Sequence, residues 1–374
     1  MKIIFCGDVM PGGVLPYQKE YITEEVKNYL KSFDLRIGTL EAAIGTGIPY
    51  DETKMNGRMN IVYARNEDFF RVTEMNFDVV SLANNHVFDL GEAGLRNTID
   101  ILKKNNIKYC GAGLNYEEAS RPAVIECGGK SIAILAYCMY GNKYLGYVEL
   151  AEKDKAGVNP LNIDQAVADI RKYKQMYDFV VVMPHWGREY QYLPMLECKD
   201  MSLRMIDAGA DAIIGGHAHN IQPCIKYKGK PIYYCLANFL FPDYYMHPPR
   251  PIWYPDSSYD VKSISKSYCY PDYIDTPTTS VWRNSSRVGM VVEMDVNDTI
   301  KTRYRFVYLS KNNILQFYSK CNSSLKRLKL HLMGQLIKSN AYPSLKKCYE
   351  SKYNLPIRGW HFIYRKLHLN KIFD

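Results

Sequence analysis

Ala212-Ile213-Ile214-Gly215-Gly216-His217-Ala218-His219-Asn220 runs an apolar stretch of strand length into a loop that carries two imidazoles two residues apart. A single His-x-His says little by itself, because loop histidines are commonly surface residues. The same arrangement recurs four more times. Asp8 follows the run Lys2 to Gly7, Glu41 follows Leu35 to Leu40, Asn84-Asn85-His86 follows Val79 to Leu82, and His185 follows Phe179 to Met183. In an α/β sheet, groups placed just beyond the carboxyl ends of several strands converge in space although they are far apart in the chain. Five strand ends that each deliver a carboxylate, an amide or an imidazole therefore predict one metal-binding crevice in an α/β protein.

The rest of the chain is consistent with a soluble enzyme-sized fold. Its 374 residues, 47% of them hydrophobic, suffice for a large core. No run reaches the roughly 18 apolar residues that a membrane span needs, and Met1 to Cys6 meets Gly7-Asp8 too early to be a secretory leader, so a cytoplasmic protein is expected. The ten cysteines, Cys6, Cys138 and Cys235 among them, are scattered through apolar runs without a Cys-x-x-Cys pair and read as reduced packing residues. The net charge of +9 is uneven: residues 311–374 hold 13 Lys and Arg against Glu350 and Asp374, leaving residues 1–310 slightly acidic. That distribution makes nucleic acid an improbable partner. It marks 311–374 as a basic C-terminal extension with its own anionic contact, including peripheral contact with the inner face of a membrane.

Strand-like runs at 2–6, 78–82, 123–126, 131–137, 179–183, 211–214 and 231–236 alternate with helical stretches at 92–105, 163–175 and 200–208. Residues 287–296 and 303–309 read as a hairpin turning at Asn297-Asp298. Ahead of that hairpin, residues 243–283 hold six prolines and nine Tyr and Trp residues, Pro249, Tyr270, Pro271 and Tyr273 included, which predicts an ordered but irregular excursion over the substrate. In the extension, Leu325, Leu328, Leu332 and Leu336 among basic residues predict an amphipathic helix.

The order Gly7-Asp8, Leu40-Glu41, Asn84-Asn85-His86-x-x-Asp89-x-Gly91, Gly111-Ala112-Gly113, His185-Trp186-Gly187-x-Glu189-Tyr190, Gly216-His217-x-His219-x-x-Gln222-Pro223 and Asn238-Phe239 resembles the CapA (PGA_cap) family of poly-gamma-glutamate and capsule biosynthesis, a branch of the calcineurin-like metallophosphoesterases. The resemblance covers residues 1–310. It implies a four-layer α/β/β/α sandwich and one or two divalent ions (Mn, Fe or Zn). Glu41 would bridge them, with Asn85, His185 and His217 on one side and Asp8 and His219 on the other. His86 would be the nearby acid and Glu189 could serve as a base, with Arg188, Trp186 and Asn238 contacting an anionic polymer or glycan substrate. The wider superfamily has Asp-x-His where this chain has Asp8-Val9-Met10, so the Asp8 site is expected to be the weaker one. The implied activity is metal-dependent hydrolysis of an ester, amide or phosphoester in capsule or exopolymer biosynthesis. A metal-dependent peptide epimerase and a non-catalytic polymer-binding assembly factor are the alternatives on the same scaffold.

Overall fold

The computed structural model of the protein describes residues 1–50, 61–141, 148–248, 251–268 and 274–347. Pro249, Tyr270, Pro271 and Tyr273 of the excursion, and residues 348–374 of the extension, lie outside the described residues. The two main sheets are built from β1 (Lys2–Val9), β2 (Leu35–Leu40), β3 (Val79–Ser81), β4 (Lys108–Cys110), β5 (Ala123–Cys127), β6 (Lys130–Cys138), β7 (Phe179–His185), β8 (Ala212–Ile214), β9 (Cys224–Tyr227), β10 (Lys230–Tyr233), β11 (Asn238–Leu240), β12 (Val288–Val296), β13 (Ile300–Leu309) and β14 (Leu315–Phe317). The principal helices are α1 (Glu24–Lys31), α2 (Gly91–Lys104), α3 (Ile163–Lys174), α4 (Leu196–Asp207) and α5 (Lys320–Lys338).

An eight-stranded sheet runs β14-β13-β12-β1-β2-β3-β4, with β11 paired to the end of β1, and a six-stranded sheet runs β9-β10-β8-β7-β6-β5. Strands β1 to β4 are mutually parallel, as are β6, β7, β8 and β10. Parallel strands covered on both faces need continuous apolar sequence, and Phe179-Val180-Val181-Val182-Met183 of β7 is buried throughout. One hydrophobic core spans both sheets, joining Ile4, Phe5 and Ile37 of the first to Ile134, Val181 and Ile213 of the second. Helices α1 and α2 pack on the first sheet and α3 and α4 on the second, completing the α/β/β/α sandwich. Amphipathic α2 shows the logic: Leu95, Ile99 and Leu102 are buried while Glu92 and Arg96 pair on the outer face.

Two expectations about the periphery change. The described residues of the 243–283 segment are not irregular: Tyr244–Met246, Ile252–Trp253, Thr278–Val281 and Ser265–Tyr268 form a four-stranded sheet. The prolines bound short strands instead of preventing them. Its base is closed by the buried pair Asp243 and Arg287, whose guanidinium donates to both carboxylate oxygens at 2.7 and 2.6 Å. Beyond residue 310, β14 extends the eight-stranded sheet and α5 packs on β9. The helix forms as expected, but Leu325, Leu328 and Leu332 face outward at 66%, 58% and 60% exposure, while Leu330, Met333 and Ile337 face the sandwich. Among the described residues no helix is long and apolar enough to cross a membrane. Cys6, Cys138 and Cys235 are buried free thiols.

Candidate metal centre

The crevice lies at the carboxyl ends of the central strands, where β1 brings Asp8, β2 leads to Glu41, β3 leads to Asn84-Asn85-His86, β7 ends on His185 and β8 leads to His217 and His219. Two sets of buried ligand atoms form there, Glu41 with His185 and His217, and Asp8 with Glu41 and His219, the atoms of each set lying within 4.8 Å of one another. Glu41 belongs to both. This is the arrangement that a bridging carboxylate between two cations requires. Asn85 Oδ1 lies 2.9 Å from His185 Nε2, on the side of the Glu41–His185–His217 set.

The local backbone is specialised to aim these groups. His217 and His219 have φ of 87° and 49°, and the neighbouring Tyr190 and Ala237 both 61°, a left-handed region that non-glycine residues occupy at a cost of about 1–3 kcal/mol each. A Cβ on Gly216 would sit 2.9 Å from Asp8 Oδ1 and 3.3 Å from His185 Nδ1, so only glycine lets the loop close over both ligands. The Tyr190 amide donates to Ala218 O at 2.7 Å, tying the loop after His185 to the His217–His219 loop.

The donor set fits divalent cations. Asp8 Oδ1, both Glu41 oxygens, His185 Nδ1 and His219 Nε2 are buried without a well-formed hydrogen bond, a costly state unless something positive completes it. Burial pushes the Asp8 carboxyl up to about 7, against a hydrogen bond from the His217 amide. Burial and then the Asp8 charge raise Glu41 well above the usual carboxylate range. Burial also drives His219 down to about 3 and His185 well below its ordinary value, so both rings are neutral and able to ligate. His219 is further fixed by Asn238: the Asn238 amide nitrogen donates to Ser286 O at 3.2 Å, which turns Oδ1 toward His219 Nδ1 at 2.7 Å. With the proton held on Nδ1, Nε2 presents its lone pair toward Glu41 Oε1, 3.8 Å away.

The other anticipated residues fall into place differently. Asn238 orients a ligand and does not face substrate. Trp186, expected at the rim, is 1% exposed, stacks with Tyr234 and donates to Tyr234 O at 2.9 Å, so it supports the crevice from beneath. Half-buried Arg188 and Glu189 do stand on the rim loop. Burial lifts Glu189 to about 8 against the pull of Arg283, and its charge is felt at Glu41. His86 is buried with Nδ1 2.7 Å from Asp89 Oδ2. Met10 offers no ligand: its side chain packs among Phe241, Tyr244 and Trp282, and its sulfur accepts the Gly12 amide at 3.2 Å.

Four contributors were not assigned roles from sequence. Asp89 stood in the Asn-Asn-His motif, and its spacing of three from His86 was the available signal. Trp282 lies 4.8 Å from the His219 ring, and the exposed Arg283 guanidinium sits 4.9 Å above the Tyr190 ring. Both come from the end of the excursion, which therefore forms a wall of the crevice. Buried Lys346 donates to Gln191 Oε1 at 2.6 Å and Leu193 O at 3.0 Å, bracing the rim loop from the C-terminal region. No sequence pattern signalled that long-range contact.

The family model described as bacterial capsule synthesis protein PGA_cap matches residues 2–243. The capsule biosynthesis protein CapA of Bacillus anthracis is 32% identical over 250 residues, covering 64% of this chain and 60% of that protein. The PGA biosynthesis protein CapA of Bacillus subtilis is 31% identical over 244 residues, covering 63% and 62%. The chain thus spans about three fifths of the length of these curated relatives. Among solved structures, a putative 5'-nucleotidase from Staphylococcus aureus is similar with 12% identity and a TM-score of 0.45, over 88% of this chain and 58% of that one.

Proposed function

The chain belongs to the PGA_cap family of bacterial capsule synthesis proteins, and from that premise we propose that it is a metal-dependent hydrolase of capsule or exopolymer biosynthesis, acting on an ester, amide or phosphoester bond of an anionic polymer such as poly-gamma-glutamate or a polysaccharide. The observation that carries this reading is the pair of buried ligand sets sharing Glu41. Two divalent ions held there, Mn, Fe or Zn, would supply Lewis-acid polarisation of the scissile group.

The chain's own residues divide the remaining work. Arg283, whose guanidinium lies over the Tyr190 ring, and Arg188 at the rim bind and orient a substrate carboxylate or phosphate. With Nδ1 engaged by Asp89, His86 offers Nε2 for proton transfer to the departing group. Glu189, lifted to about 8, holds a proton at neutral pH and serves as a second acid at the mouth. Trp282, Phe241 and Met10 form the apolar wall that excludes water from one side.

A cytoplasmic placement, peripheral at the inner face of the membrane, belongs to the same proposal. Its support is α5, a helix without an acidic residue that turns Leu325, Leu328 and Leu332 outward. A second functional reading, a polymer-binding assembly factor without catalysis, is favoured by the packing of Met10, which leaves the Asp8 set with three ligating side chains. A screen of phosphoester, peptide and glycan substrates with the metal-loaded native protein and Glu41→Ala distinguishes them. Turnover that Glu41→Ala abolishes is expected; a metal-loaded native protein that binds polymer without turnover would favour the assembly factor.

A further inference from the structure

Away from the metal centre, α5 and the strands β9, β10 and β13 enclose a groove of about 440 Å³. Among the described residues its charged lining is of one sign: Lys226, Arg303, Arg327 and Lys338. Arg303 is neutralised by Glu293 at 2.8 Å, but among the described residues no carboxylate pairs with Lys226, Arg327 or Lys338. The helix is held close to the hairpin, since a Cβ on Gly334 would lie 3.1 Å from Cys224 O, and Leu330 and Met333 are buried beneath it. Arg327 is anchored by donating to Tyr304 O at 2.7 Å, with its guanidinium 4.6 Å from the Tyr304 ring. Lys338, Arg327 and Lys226 all pull down the thiol of Cys224, which burial otherwise raises, so the three charges converge on one point of the groove.

We propose that this groove is a binding site for one extended strand of a polycarboxylate, separate from the metal centre. A concave channel between a helix and a hairpin admits a single chain, whereas a bilayer surface requires a flat or convex face. Uncompensated cations on both walls favour closely spaced negative charges, and the volume suits a ligand of a few residues. Three of the four cations lie beyond residue 243, where the family match ends, so the groove is largely built by sequence outside that match. The choice of a carboxylate polymer rests on the proposed role in capsule-type polymer synthesis; the groove itself does not depend on the metal centre.

The test is fluorescence anisotropy of a labelled short poly-gamma-glutamate with the full-length chain at low and high salt. Lys226→Glu/Arg327→Glu/Lys338→Glu is expected to weaken binding by about tenfold or more and to flatten its salt dependence, with bound metal unchanged. Lys226→Glu alone, at an exposed position of β9, should give a smaller loss in the same direction should the triple variant fail to fold. Glu41→Ala should lose metal yet keep polymer binding, which separates failure of this site from failure of the metal reading. No binding to the native chain, native-like binding by the variants, or equal or tighter binding of single-stranded DNA or anionic vesicles through the same three residues would overturn the assignment.

Discussion

Replacing Asn238 by alanine removes the acceptor that holds the proton of His219 on Nδ1. The bond is 2.7 Å long and fully buried, and its loss lets the ring place its proton on Nε2, the atom that faces Glu41. Removing an outer partner of a ligating histidine typically weakens metal binding by about 10–100-fold, or roughly 1.4–2.7 kcal/mol. The same substitution deletes the 3.2 Å bond to Ser286 O, which lowers the stability of the metal-free chain as well; a net hydrogen bond contributes about 0.5–1.5 kcal/mol. The two effects separate in thermal melts recorded with and without Mn²⁺. The metal-free shift reports the Ser286 bond, and the shrinkage of the metal-dependent increment, about 1.4 kcal/mol per tenfold change in Kd, reports His219. Asn238→Asp keeps an acceptor and should bind metal at least as tightly as the native chain. Calorimetric affinities that are the same in Asn238→Ala and in the native protein would refute the orienting role.

Further expectations concern the same elements. Gly216→Ala pushes a methyl group to 2.9 Å from Asp8 Oδ1 and 3.3 Å from His185 Nδ1, so bound metal should fall while circular dichroism stays native; full metal loading would show that the loop yields. Because burial raises Asp8 to about 7 and lifts Glu41 well above the usual carboxylate range, while His185 and His219 are already neutral, metal binding displaces carboxyl protons, and affinity should climb from pH 6 to pH 8 with proton release seen in buffers of different ionisation enthalpy. A pH-independent affinity would contradict that assignment of protons. Lys346→Ala strands Gln191 Oε1 and Leu193 O, for about 1–3 kcal/mol of lost stability in denaturant unfolding, and an unchanged midpoint would show the bracing contact to be dispensable.

The core of the sandwich was legible because β1, β6, β7 and β12 are covered on both faces and must be written as apolar runs, and the metal centre because its ligands sit where those runs stop. What lay outside that logic was not legible. The direction of Trp186 is set by the Tyr234 carbonyl and ring on another strand, and the task of Asn238 by Ser286, neither of which spacing along the chain can indicate. In α5 both an outer row, Leu325, Leu328 and Leu332, and an inner row, Leu330, Met333 and Ile337, satisfy helical periodicity, so only the partner surface on β9 decides which is buried. The small sheet within 243–283 hides for a similar reason. Its strands are two to four residues long, too short for alternation to register against the surrounding prolines.

The central claim is that Glu41 joins two cation sites, and elemental analysis of the purified chain after loading with Mn²⁺, Fe²⁺ or Zn²⁺ tests it most directly. The account predicts two ions per native chain, the one at Asp8 and His219 bound more weakly, and loss of both in Glu41→Ala with the fold intact. A native chain that takes up no divalent ion, or a Glu41→Ala variant that retains the native complement, would contradict it.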